Sequence, residues 1–114
     1  MTGVSESQKG NAEEAALLER CKATVQRLVP GATLILYGSR SRHDAEPASD
    51  YDLLILVDEV GADVEDQLGD LLYEIELEHG IVISALVFDR RSWKDPRYQA
   101  MPLHQNIDRD GIVL

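Results

Sequence analysis

The chain has 114 residues, 44% hydrophobic and 28% charged, with a formal net charge of −10. That length holds one domain with a single core. The acidic balance argues against an extended nucleic-acid surface, whose usual footprint is a basic face. The longest apolar stretch, Leu53 to Val57, is far too short to span a membrane. Cys21 is the only cysteine, so no internal disulfide forms. The first residues lack the apolar centre of a secretion signal, and Thr2 stands where myristoylation needs glycine. A cytoplasmic location is expected.

In chain order, residues 1–10 are polar and predict a disordered tail, with residues 11–114 forming the domain. Leu18, Cys21, Val25 and Leu28 recur at spacings of three and four, predicting a helix from Asn11, a candidate N-cap, to Leu28 before Pro30-Gly31. On this stripe Cys21 reads as a buried small residue rather than a nucleophile. Thr33 to Tyr37 predicts a strand leading into Gly38-Ser39, and Asp52 to Val57 predicts a second. Asp58 to Gly61 reads as a loop. Val64, Leu68, Leu71, Leu72 and Ile75 predict an amphipathic helix stopped near His79-Gly80. Ile81 to Phe88 carries no charge and predicts a third, central strand. An irregular segment with packing residues Trp93 and Tyr98 follows. A short helix over Leu103 to Arg109 and an edge strand over Ile112 to Leu114 complete the chain.

The chemistry concentrates where the first strand meets the second. Residues two apart on a strand point the same way, about 6.5–7 Å apart along the backbone. Asp50 and Asp52 can therefore share or bracket a hard cation, and Mg²⁺ suits one or two carboxylates plus phosphate oxygens. Tyr51 must face the other side. Gly38 permits a sharp bend. Ser39 offers a hydroxyl, amides from Arg40 onward suit an anion if a helix starts there, and Arg40 and Arg42 add positive charge. His43 lies in the same loop, where contact with phosphate or base competes with simple exposure. His79 suits a helix C-terminus, and His104 has no partner at ligand spacing. An EF-hand is excluded, because its sixth position would be Ser49 and its twelfth Ile55.

The pattern Gly38-Ser39, ten residues, Asp50-Tyr51-Asp52 resembles the G-S-x10-D-x-D signature of the DNA polymerase β-like nucleotidyltransferase superfamily. Size and wording, including Asn106-Ile107 before Asp110-Gly111 and a final apolar run, look most like its minimal members. The resemblance covers roughly Leu17 to Leu114, with its specific part at residues 38–52. It implies an α/β (α+β) fold with a small mixed sheet flanked by helices. It also implies transfer of a nucleoside monophosphate from an NTP, ATP being expected, to an acceptor hydroxyl. Asp50 and Asp52 would hold Mg²⁺ or Mn²⁺, while Gly38, Ser39, Arg40 and Arg42 would seat the triphosphate. Minimal members often pair with a helical HEPN-type toxin, acting as the antitoxin that adenylylates its tyrosine. A partner chain of that kind, or a homo-oligomer, would hold the acceptor.

One departure stands out. Active members usually carry a third carboxylate on the strand beside D-x-D, and in Ile81 to Phe88 the only polar residue is Ser84. Serine is neither a strong magnesium ligand nor a base at neutral pH, and losing a positioned base costs about 10²–10⁴-fold in rate. Asp89, Glu76 and Glu78 are the nearest other carboxylates in sequence. The alternative expectation is therefore a catalytically silent module of the same fold that neutralises or scaffolds a partner. Transfer to a small molecule is disfavoured, because nothing beyond the core fold builds a pocket for one.

Overall fold

The computed structural model describes residues 6–38 and 50–114. The elements run α1 (Glu6–Leu28), β1 (Thr33–Tyr37), β2 (Tyr51–Val57), α2 (Ala62–His79), β3 (Ile83–Asp89), α3 (Arg90–Trp93), α4 (Pro96–Gln99), α5 (Pro102–Asp110) and β4 (Ile112–Val113). The strands form one mixed sheet in the order β3-β2-β1-β4. β1 pairs antiparallel with β2 and β4, while β2 and β3 are parallel, joined through α2. The fold class is the one the sequence implied.

Two expectations are corrected. α1 begins at Glu6 rather than Asn11, so Asn11 lies inside the helix and is not its cap. Gly10 and Asn11 are poor helix formers, but they disfavour a helix by only about 1 kcal/mol or less each, and flanking residues carry it through. Residues 1–5 of the expected tail lie outside the described residues. The second correction concerns β3, which is an edge strand and not a central one. Its uncharged run looks the same in sequence as a strand buried on both sides, but Ser84, Ala85 and Leu86 are exposed.

Strand alternation divides the apolar residues between two faces. Leu34, Leu36, Tyr51, Leu53, Ile55, Val57 and Ile83 join Leu17, Cys21 and Val25 of α1 and Leu68, Leu72 and Ile75 of α2. Leu17, rather than the expected Leu18, completes the buried stripe of α1. Burial pushes the Cys21 thiol up to about 11, which leaves it protonated and unreactive at neutral pH. α2 ends on Gly80 in the left-handed region (φ 64°), whose amide donates to Glu76 O at 2.8 Å.

The opposite face is covered only in part. Leu54, Trp93 and Ile107 form a second core, with Ile35, Tyr37, Leu56, Phe88 and Leu103 packed against it. Trp93 stacks on the buried His104 at 4.1 Å and meets Phe88 at 5.3 Å. A carbonyl only accepts, so His104 Nε2 carries the proton it donates to Trp93 O at 2.9 Å. His104 Nδ1 lies 3.0 Å from an Asp108 carboxylate oxygen. Arg90 fastens this layer to the sheet, donating to Asp58 Oδ1 (3.2 Å), Thr33 Oγ1 (3.3 Å) and Gly31 O. The helices α3–α5 thus pack on this face of the sheet.

Candidate active site

The candidate site lies where β1 stops and β2 starts. Tyr37 on β1 stands opposite Asp52 on β2, and Ser84 on β3 is level with Asp52 from the other side. Directly paired residues point to the same face, so Tyr37, Asp52 and Ser84 form a row across three strands. Asp50 lies just before the strand, close enough for its charge to act on Asp52. Tyr51 between them is buried on the α1–α2 side, as the spacing required.

Gly38 closes the row. Its φ is +75°, a conformation side chains rarely adopt, and a Cβ built on it would stand 2.5 Å from Asp52 Oδ2. Two features therefore demand glycine here, the backbone and the carboxylate resting against it. Gly38→Ala is expected to cost about 1–2 kcal/mol from the left-handed backbone. It also displaces the Asp52 carboxylate. Urea denaturation will register the first effect, and titration with Mn²⁺ and ATP will register the second as at least a tenfold weaker affinity. An alanine variant binding both as tightly as wild type would show that Asp52 need not rest where it does.

Asp52 is the perturbed carboxylate of the site. Desolvation first, and then the charge of Asp50, raise the Asp52 pKa above the usual carboxylate range. Desolvation, followed by the charge of Asp52, raises the half-buried Tyr37. Negative charge is thus concentrated at a partly desolvated place, and a cation shared by Asp50 and Asp52 would relieve both effects. Among the described residues no group of three or more His, Cys, Asp or Glu is placed to hold a metal ion. The pair fits one hard cation completed by water and phosphate oxygens.

The other nearby carboxylates are committed elsewhere. Glu76 accepts from Ile83 N at 3.2 Å, and Glu78 pairs with Arg20. Asp89 lies at the far end of β3 and caps α3, accepting from Ser92 N (2.7 Å) and Ser92 Oγ (2.9 Å). On β3 it is Ser84 that is level with Asp52. Ser39, Arg40, Arg42 and His43 lie outside the described residues. Tyr37 is the neighbour that sequence reading passed over, because only the β1–β2 register places it beside Asp52.

The class of protein follows from the domain as a whole. Residues 18–102 match the nucleotidyltransferase domain family model, and the chain belongs to that family. The fold is similar to a solved structure of a candidate minimal nucleotidyltransferase, with 22% identity and a TM-score of 0.54, covering 99% of this chain and 100% of that one. It is also similar to a chain from a toxin–antitoxin structure with AMP-PNP, with 18% identity and a TM-score of 0.53, covering 83% of this chain and 70% of that one. Comparison with curated protein sequences gives no match. No helix among the described residues is long and apolar enough to cross a membrane.

Proposed function

We propose that the chain transfers a nucleoside monophosphate, AMP in the first instance, from an NTP to a hydroxyl presented by a second protein. The observation that carries this reading is the row Tyr37–Asp52–Ser84 with Gly38 against Asp52. Asp50 and Asp52 would hold Mg²⁺ or Mn²⁺, which when bound neutralises charge on the polyphosphate. Gly38 and Ser39 would seat the triphosphate, with Arg40 and Arg42 balancing its outer charge. Such a transfer asks for positioning and charge neutralisation around an in-line displacement, and little covalent chemistry from the protein. The toxin–antitoxin neighbour, solved with AMP-PNP, supports a nucleotide and a protein partner. A tyrosine of a HEPN-type helical toxin is the acceptor we favour. The direct test incubates the protein with α-labelled ATP, Mg²⁺ and that partner. Label moving to the partner supports the reading, and label that moves equally well with Asp50→Asn/Asp52→Asn overturns it.

A second reading is favoured by Ser84. A serine level with Asp52 leaves the site one carboxylate short of the family's usual set, consistent with a module that binds its partner without catalysing. Ser84→Asp separates the two. It is expected to tighten Mn²⁺ at least tenfold by titration, with a small loss of stability from the added negative charge. A silent wild type that gains label transfer as Ser84→Asp supports the module. A wild type already active supports the enzyme.

A further inference from the structure

The outer side of β3 presents backbone and apolar side chains together. Among the described residues β2 is its only strand neighbour. Val82 (52% exposed) and Leu86 (37%) flank Ser84 on the site face, and Ala85 is exposed on the other. α2 meets the start of β3 through Glu76, which accepts from Ile83 N, and on the same turns of that helix Tyr73 (57%) and Leu77 (66%) are exposed. A helix that faced only solvent would carry polar residues there, and exposed apolar surface rimmed by charge marks a contact site.

The rim is acidic. α2 carries seven acidic residues and no lysine or arginine. Glu76 and Glu78 are held by Ile83 N and Arg20. Glu74 already feels the charge of Arg20 on α1, which leaves Asp66 and Asp70, exposed at i, i+4. Like charges at that spacing destabilise a helix, so this pair suits an opposite charge brought from outside. A second copy of this chain does not suit it, because a two-fold contact through this patch would set the same acidic ridge against itself. Nucleic acid is excluded by the same charges.

We infer that the free edge of β3 and the adjoining flank of α2 dock a second protein whose contact surface is an apolar strip rimmed by lysine and arginine. This deepens the reading above and rests on it for the partner's existence. It gives that partner a place. Strands lie about 4.8 Å apart, so a segment on the outer side of β3 runs roughly 10 Å from β2. A long side chain reaching over Ser84 from there arrives at Asp52. Ser84, being small, leaves that passage open.

The test places a photo-crosslinking amino acid at Val82, at Tyr73, and at the exposed Lys94 of the opposite layer, in the source cells. One basic protein captured from Val82 and Tyr73 but not from Lys94 is expected. That protein is then purified and titrated against the full chain. Leu77→Ser/Val82→Ser is expected to weaken binding at least tenfold, and Asp66→Asn/Asp70→Asn about three- to tenfold, with the second effect fading at high salt. ATP affinity should remain at the wild-type value in both variants, whose altered side chains are exposed. Crosslinking to a second copy of this chain, equal capture from Lys94, no capture, or binding indifferent to Leu77→Ser/Val82→Ser would each overturn the inference. If docking holds while no label moves from ATP, the nucleotidyl-transfer reading fails and this surface stands. If label moves undiminished to a partner that ignores the patch variants, the surface fails alone.

Discussion

Asp52→Asn is expected to lower label transfer from ATP by about 10³-fold or more, within the range for losing a metal-holding or proton-accepting group, while making the nucleotide-free protein more stable. The two effects share one cause. Desolvation and the neighbouring Asp50 raise the Asp52 pKa, so the ionised form present at neutral pH is the one the fold disfavours. A group with a raised folded pKa contributes stability that is present at low pH and lost as pH rises through that pKa. Wild type therefore lacks this contribution at pH 7, and asparagine removes the charge responsible. Like charges on neighbouring side chains cost about 0.2–1 kcal/mol, so the melting midpoint should rise by about 1–5 °C at pH 7. The gap between variant and wild type should close as pH falls through the raised Asp52 pKa.

Hydrogen bonds to Arg20, Ser92 and Arg97 hold Glu78, Asp89 and Asp95 below the usual range, with the opposite pH dependence. They are common to both proteins and cancel in the comparison. A midpoint that falls in the variant at pH 7 would show Asp52 to be a structural residue. Paired thermal scans and transfer assays on the same preparations decide it.

Trp93→Ala is expected to have the largest effect on stability. Truncating a buried aromatic costs about 3–5 kcal/mol, against a total of roughly 5–15 kcal/mol for a domain. Trp93 sits between Leu54 and Ile107, stacks on His104 and touches Phe88. Phe88 in turn meets Tyr98 edge-on at 5.6 Å, so one removal loosens β3, α4 and α5 together. The urea midpoint should drop steeply, and Trp93→Phe should restore most of it by keeping a ring over the imidazole. Equal losses for alanine and phenylalanine would mean that the indole, rather than aromatic filling, holds this layer.

The elements whose apolar rhythm is clear were legible in the sequence. α2, β1 and β2 fall within a residue or two of their expected limits, because Leu68, Leu72 and Ile75 recur at helical period on one buried face and β2 is a continuous apolar run. Gly38, Asp50 and Asp52 were singled out by their resemblance to the G-S-x10-D-x-D signature, and the register brings Gly38 against Asp52. Long-range pairing was not legible. An uncharged strand reads alike at the centre or at an edge, so β3 was misplaced. The three attachments of Arg90 and the burial of His104 depend on residues up to 59 positions away, which no local pattern encodes. The start of α1 was missed because Gly10 and Asn11 weigh only weakly against a helix.

β2 has a hydrogen-bonded strand on each side, and Leu53, Leu54 and Ile55 at its middle have no solvent exposure. Amides held in this way trade their protons for deuterium only when the whole molecule opens. The aspartate pair is therefore mounted at the end of the slowest-exchanging segment, with its spacing insulated from breathing elsewhere. A deuterium-uptake map should darken last along residues 53–56, whatever the adjoining loops do.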